Sequence, residues 1–446
     1  MESLPLIGKK IKSYTLGCKL NFAETSSIVQ SLCQLGAEQC SQGQIPDICL
    51  VNTCSVTMVA DKKSRQLIHR ITRQYPNSYI VATGCSAQLR SSEMSRIPGL
   101  DVIIGQDGKK HVQDYLEDLT KRTDPIVDVT SPGTDNCFVP SCSRGDRTRY
   151  FLKVQDGCNN FCSYCTVPYA RGRSRNPNIQ DLVLQAHRVA EQGGKEIVIT
   201  GVNIGDFGRT TDELFFDLVK ALDQVEGIER YRISSIEPNL LTDQIIDYVA
   251  ESKRFMPHFH IPLQCGNNDV LRLMGRRYDR ELFAERVERI KNAMPNAFIG
   301  VDVIVGMRGE TPQFFEDSCR FIESLPITRL HVFSYSERPG TKALTIPYVV
   351  SEQDKHERSE RLLEISERKL DSFYRNHIGR TMDVLPEHAT NGNVMYGFTN
   401  NYIKVELPKD NTLANRIVKA RIDSIDPDKS KECVRGTIVN SVTDNE

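Results

Sequence analysis

The run Gly157-Cys158-Asn159-Asn160-Phe161-Cys162-Ser163-Tyr164-Cys165 carries the side chains best equipped for chemistry in this chain. Three thiols at C-x3-C-x2-C spacing can converge on one soft metal centre, because thiolate sulfur is the ligand that iron–sulfur clusters select. They supply three ligands, whereas a four-iron cubane takes four. One iron then stays open, and a small molecule can bind there. A zinc site or a disulfide knot is the alternative, although the paired fourth ligand usual for zinc is missing nearby.

A second set lies upstream: Cys18 in TLGCKLN, Cys54 in VNTCSV and Cys85 in ATGCSAQ. Each directly follows an apolar run that reads as a strand. If those strands are neighbours in a parallel sheet, the three thiols leave the same edge and can hold a second centre. Ordinary buried cysteines are the alternative. Gly17 and Gly84 stand beside two of them, where a residue without Cβ lets backbone approach closely. Cys33, Cys40 and Cys49 lack this placement, and Cys137 and Cys142 match no ligand pattern.

The elements that must position these thiols follow from periodicity. Over residues 1–125, apolar runs at 11–16, 48–52, 79–83 and 102–104 alternate with helical patterns at 21–35, 56–75 and 111–119, which predicts an open parallel α/β sheet. Residues 126–149 are rich in Ser, Pro, Gly and Asp and read as a linker, with Arg144, Arg147 and Arg149 bringing positive charge to the next domain. From 150 to 376, strand patterns at 150–155, 196–200, 231–235, 258–263, 298–305 and 330–335 alternate with helices. About six units predict a partial, open-sided (β/α)6 barrel, with its working face at the carboxyl ends of the strands. The charged stretch 351–376 reads as a surface helix closing it. Residues 377–446 change to short strands separated by turns such as Asn391-Gly392, which predicts a small antiparallel, OB-like β-barrel. The fold class is α/β.

Several residues fall at the strand ends of the central domain: Gly201 and Asn203 in TGVNIG, Glu237 in SSIEP, and Gln264 in PLQCG. Together with Tyr164 they make a candidate ligand pocket. Each alone could equally be a turn or a satisfied core polar group. Arg171, Arg173 and Arg175, interleaved with Tyr164 and Tyr169, are candidates for gripping phosphate and stacking on bases, as is the group Arg272, Arg276, Arg277 and Tyr278. Tyr396, Phe398 and Tyr402 are candidate stacking platforms on the last barrel. The run Lys62, Lys63, Arg65, His69, Arg70 and Arg73 reads as a solvated helix face.

The chain has 446 residues, 14 cysteines and a formal net charge of -1. Any nucleic-acid surface must therefore be local. The opening MESLPLIGKK has no apolar signal core and no stretch is long enough to span a bilayer, so the expected compartment is cytoplasmic, where thiols stay reduced and clustered cysteines bind metal.

Together, TLGCKLN, VNTCSV, ATGCSAQ, the C-x3-C-x2-C run and the small last barrel resemble the radical S-adenosylmethionine (SAM) methylthiotransferases over nearly the whole chain. TLGCK, PYARGR, ITGVNIGDFG and RISSIEP are similar to the branch acting on N6-threonylcarbamoyladenosine at position 37 of tRNA. The resemblance implies two 4Fe–4S clusters, one on Cys158, Cys162 and Cys165 that reduces SAM to a 5′-deoxyadenosyl radical, and an auxiliary one on Cys18, Cys54 and Cys85 that carries the sulfur. A second SAM supplies the methyl group. It further implies an N-terminal methylthiotransferase domain, a radical-SAM domain, and a C-terminal TRAM-type barrel that grips the anticodon stem-loop of ANN-decoding tRNA and presents a flipped base between the clusters. A low-potential electron donor, a sulfur donor and a monomeric chain belong to the same expectation. Cys265 stands where that family carries serine, and Met307-Arg308 where it carries phenylalanine and proline. Isopentenyladenosine or a ribosomal-protein aspartate as substrate, and a non-catalytic iron–sulfur carrier, are the competing readings.

Overall fold

Ile48–Thr53 and Tyr79–Gly84 are buried from end to end, as strands covered on both faces must be. In the computed structural model, which describes residues 6–132, 138, 140–143, 148–388 and 392–439, they form the centre of a six-stranded sheet. Its elements in chain order are β1 (Lys10–Thr15), α1 (Lys19–Gln34), β2 (Glu38–Gln39), β3 (Ile48–Thr53), α2 (Met58–Gln74), β4 (Tyr79–Gly84), α3 (Cys85–Leu89), α4 (Ser91–Met94), β5 (Val102–Ile104) and β6 (Ile126–Asp128). The sheet order is β2-β1-β3-β4-β5-β6 and every pairing is parallel. The helix expected at 111–119 is instead a 3-10 segment, Asp107–Tyr115. β6 falls in the stretch read as linker; three residues are too few to carry a periodic signal. Cys137, Arg144, Arg147 and Asn391 lie outside the described residues.

The second unit starts with β7 (Ser141–Cys142), which pairs antiparallel with β8 (Arg149–Lys153). It continues with α5 (Val167–Arg171), α6 (Ile179–Glu191), β9 (Glu196–Thr200), α7 (Phe215–Asp223), β10 (Arg230–Ile233), α8 (Asp243–Glu251), β11 (His258–Gln264), α9 (Asn268–Met274), α10 (Arg280–Ala293), β12 (Phe298–Val305), α11 (Pro312–Ser324), β13 (Arg329–Ser334) and α12 (Glu352–Arg375). β8, β9 and β10 pair in parallel, as do β11, β12 and β13, and a parallel bridge Ser235–His260 joins the two sets. Six parallel strands thus curve into a barrel left open between β8 and β13.

Alternation along these strands sorts their side chains into two faces. Leu152, Val154, Ile197, Ile199, Ile233, Phe259, Ile261, Ile299, Val301 and Leu330 belong to one apolar core with the surrounding helices. The opposite, inward face carries Phe151, Lys153, Gln155, Val198, Arg232, His258, His260, Asp302 and His331, a mostly polar set. A lumen lined this way has to be filled by water, ligand or another part of the chain.

The last unit, β14 (Thr381–Pro386), β15 (Val394–Thr399), β16 (Lys404–Pro408), β17 (Val418–Ile425) and β18 (Val434–Ile438), closes into a barrel. Its pairs are antiparallel except β16–β18, which is parallel. It docks on the amino ends of the central strands. Arg230 donates to the carbonyls of Phe398 and Asp383 at 2.8 and 2.9 Å, and Arg232 to those of Asn400 and Thr399, both at 2.8 Å. The barrel thus sits at the end of the central domain opposite the carboxyl-terminal face.

Candidate functional site

The loop leaving β8 carries Cys158, Cys162 and Cys165 at the carboxyl end of the strand. Gly157 opens it with φ +70, and a Cβ there would stand 2.0 Å from the Arg173 carbonyl oxygen, so only glycine fits. Phe161, between the first two cysteines, holds a left-handed φ of 47, a conformation that costs energy and collects at functional loops. Each sulfur receives a hydrogen bond: Cys158 from the Asn160 backbone N–H at 3.5 Å, Cys165 from that of Val167 at 3.4 Å, and Cys162 from Arg276 Nη1 at 3.2 Å. Burial pushes the Cys158 thiol up to about 11 and Cys165 up to about 12. Donors aimed at sulfur are what stabilise a thiolate ligand once metal binds.

Thiolates sharing one zinc lie about 3.8 Å apart, from a Zn–S length of about 2.3 Å in a tetrahedron. Among the described residues, the only His/Cys/Asp/Glu trio with all ligand atoms within 4.8 Å is Glu406, Asp426 and Cys433 in the last barrel. Its carboxylates are already neutralised by Lys431 and Arg435. Three thiols on one loop suit an iron–sulfur core, the centre that thiolate ligands select.

Cys18, Cys54 and Cys85 follow β1, β3 and β4, three adjacent strands, so the topology brings them to one edge. A Cβ on Gly17, whose φ is +101, would stand 2.8 Å from Cys54 Cβ and 2.9 Å from its sulfur. Gln106 Nε2 donates to Cys85 Sγ at 3.7 Å. Burial pushes the Cys54 thiol up to about 11 and raises Cys85 as well, and both feel the charge of Arg171 from the other unit. Gly17→Ala is expected to destabilise the chain by about 1–2 kcal/mol, read as a lower midpoint in urea.

The two cysteine edges face one another because α3, headed by Cys85, packs on α5, which begins two residues after Cys165, while α1 packs on β7 and β8. A buried ionic hub fixes this seam. Glu24 on α1 accepts from Lys153 at 2.8 Å and from Arg171 at 2.9 Å, and pairs with Lys109; Asp156 pairs with Lys153, Arg171 and Arg175. Burial alone would raise the Glu24 carboxyl, but Arg171, Lys109 and Lys153 outweigh it and hold it well below the ordinary carboxylate range. On the far side of the seam, Arg338 pairs with Asp61 and donates to Ser55.

This hub corrects the sequence reading of two arginines. Arg171 is 2% exposed and Arg175 5%, so neither can reach a nucleic acid. Their partners lie in distant segments that composition does not reveal. Arg173 is exposed, with its guanidinium 5.9 Å from the Phe161 ring, which in turn meets Tyr169 edge-on at 5.9 Å. Phe398 is also reassigned: Arg149 lies over its ring at 4.3 Å and Tyr402 stacks on it at 4.8 Å, in the seam between barrels. Tyr396 is half-buried, its hydroxyl donating to Glu406. Cys265 and Met307, both fully buried, share one small core with Met274 and Tyr278, so these two positions contribute packing; Arg308 pairs with Glu337.

The candidate ligand residues fall around the mouth. Asn203 is 4% exposed, and among the described residues neither of its amide atoms has a hydrogen-bond partner. Such a group points to a ligand that completes it. Gly201 is half-buried beside the Gln155 side chain, and Gln155 Oε1 accepts from the backbone N–H groups of Val202 and Asn203 at 2.9 Å each. Gln155 Nε2 meanwhile donates to the carbonyls of Asp156 and Gly157, tying this turn to the cysteine loop. The sequence reading missed Gln155, an inward-facing amide at the end of a strand. Glu237 is held by Asn160 and by Arg276 Nη2 at 2.8 Å, so it orients the arginine that reaches Cys162. Gln264 ends β11 with φ 67, and Tyr164 packs half-buried against the Cys265 core.

A partial parallel barrel with a three-cysteine loop at the carboxyl end of its first strand is the architecture of radical-SAM enzymes. Residues 152–322 match the Radical SAM superfamily, and residues 10–105 match an uncharacterized protein family, UPF0004. The chain is 38% identical over 419 residues, 92% of each chain, to the threonylcarbamoyladenosine tRNA methylthiotransferase MtaB of Bacillus subtilis, and 34% identical to that of Thermotoga maritima, with 89% and 91% covered. A tRNA-2-methylthio-N(6)-dimethylallyladenosine synthase of Pelotomaculum thermopropionicum is 29% identical, with 93% and 95% covered. Among solved structures, the radical SAM methyltransferase TsrM of Kitasatospora setae has a TM-score of 0.56 at 14% identity over 76% of this chain and 77% of that one, a likeness of fold. The chain belongs to the radical-SAM methylthiotransferase family and is an enzyme of that class.

Proposed function

We propose that this enzyme methylthiolates C2 of N6-threonylcarbamoyladenosine at position 37 of tRNA, in tRNAs that read ANN codons. The observation that carries it is the pair of cysteine trios, each on a strand-end edge, held face to face by the Glu24 hub. Cys158, Cys162 and Cys165 would hold one 4Fe–4S cluster, and Cys18, Cys54 and Cys85 a second. When bound, these groups and SAM supply one-electron cleavage of a carbon–sulfur bond and the sulfur that is transferred, chemistry no side chain here offers.

The chain's own residues prepare the place. Arg276, steadied by Glu237, donates to Cys162 Sγ and so fixes the orientation of that sulfur. The unpartnered Asn203 amide would be available to a ligand bound beside the Cys158 loop, with its backbone clamped by Gln155. Phe22 meets Phe151 edge-on at 6.0 Å and, with Ala23 and Val198, forms the apolar contact by which α1 is anchored on the open side of the barrel. Arg173, Phe161 and Tyr169 form an exposed cationic and aromatic rim suited to phosphate and unstacked bases. Among the described residues no helix is long and apolar enough to cross a membrane. An external low-potential electron donor and a sulfur donor complete the scheme.

Nucleoside mass spectrometry of tRNA from cells lacking the gene tests the substrate. The methylthio group is expected to vanish from threonylcarbamoyladenosine alone. Its loss from isopentenyladenosine instead, or from neither, contradicts the proposal.

A further inference from the structure

Lys19 directly follows Cys18 and occupies the first position of α1, a helix with no acidic residue in its first turn. A cation there opposes the helix dipole and weakens the helix. Phe22 and Ala23, one turn on, pack against Phe151 and Val198 on the inward face of the barrel. Lys19 therefore enters the open side between β8 and β13. Its ammonium stands 6.0 Å from the Phe151 ring, and its charge is felt by Asp302, His331, His258 and Tyr402.

The other charges of this lumen are satisfied. Arg149 pairs with Glu387 and donates to Tyr402 Oη, Arg232 pairs with Glu196, and Asp302 meets His260 Nε2 at 2.8 Å. Among the described residues Lys19 Nζ has neither a hydrogen bond nor an ion pair, only the Phe151 ring. The lumen is open to solvent here: Lys19 is exposed, and the Asp302 and His260 side chains are 20% and 23% exposed. An unpaired ammonium at the open side of a polar-lined barrel, beside the residue proposed to hold the auxiliary cluster, is suited to meet an anion carried by the substrate.

We propose that Lys19 is a specificity-determining residue that pairs with the carboxylate of the N6-threonylcarbamoyl group. This rests on the function proposed above and deepens it, naming the part of the modified base that the site reads. An apolar N6 substituent would leave the ammonium desolvated and unpaired, so the same residue rejects it.

Anticodon stem-loop RNAs separate the possibilities. One carries N6-threonylcarbamoyladenosine at position 37, a second its carboxylate methyl ester, and a third plain adenosine; each is titrated with reconstituted holoenzyme. Wild-type protein is expected to bind the acid about tenfold more tightly than the ester. Lys19→Met should erase that difference by weakening the acid alone, and Lys19→Arg should keep it, with iron per chain unchanged in both. Equal weakening of acid and ester by Lys19→Met, or an undiminished preference for the acid, overturns the role of Lys19. Wild-type protein that fails to prefer the acid over plain adenosine refutes the substrate reading itself.

Discussion

Reconstituted Cys162→Ala protein is expected to lose reductive cleavage of SAM and, with it, methylthio transfer, each by about three orders of magnitude or more. Cys162 is 8% exposed and accepts from Arg276, so alanine removes both the proposed ligand and one acceptor of a buried guanidinium. Cys85→Ala is expected to behave differently. Cys85 belongs to the other edge, at the head of α3, and is not part of the Cys158 loop. That variant should go on producing 5′-deoxyadenosine from SAM while its methylthiolated nucleoside falls as far as in Cys162→Ala. Paired assays of the two products, under anaerobic reducing conditions, read the division of labour. Loss of SAM cleavage in both variants would mean that the six cysteines serve one centre.

Glu24→Leu is expected to be the most damaging change away from the cysteines. Buried Lys109 would then lose its carboxylate, and Lys153, Arg171 and Arg175 would be left with that of Asp156 alone. Removing one partner from a buried ion pair costs about 3–5 kcal/mol, because the charge left behind keeps its desolvation penalty. Arg171→Met should cost less, since Glu24 keeps Lys109 and Lys153. Urea denaturation gives both numbers. The sign of the pH dependence follows from the same hub. Glu24 and Asp156 are held below the ordinary carboxylate range by their cations, against the opposing effect of burial. Their contribution is therefore present above the unfolded carboxyl value, about 4, and is lost as pH falls through the folded ones. Wild-type stability should drop below about pH 4, and Glu24→Leu should show a shallower drop. An equal slope in the two proteins would remove the hub from the account.

Why some of this was legible in the chain and some was not has a physical reason. The placement of the thiols was legible: Cys158, Cys162 and Cys165 fall on one loop after a strand, and Cys18, Cys54 and Cys85 come to one edge because each ends one of three adjacent strands. Strands such as 196–200 and 298–305 emerged with their ends correct because their apolar runs are bounded by polar turns. Charge is another matter. Arg171 looks the same whether it faces RNA or Glu24, and its partner lies 147 positions away. Phe398 looked like a platform for a base until Arg149 and Tyr402 were found on it. Lys19 was visible only as one letter of TLGCKLN; its meaning came from α1 entering the barrel. Gln155 and Arg276 act through hydrogen bonds between separate loops, which no local pattern encodes.

Iron and acid-labile sulfide per chain test the central claim most directly. The wild-type protein, reconstituted anaerobically, is predicted to hold about eight irons, and a chain with Cys18, Cys54 and Cys85 all changed to alanine about four, with SAM cleavage retained. About four irons in the wild-type protein, or no difference between the two, would contradict it.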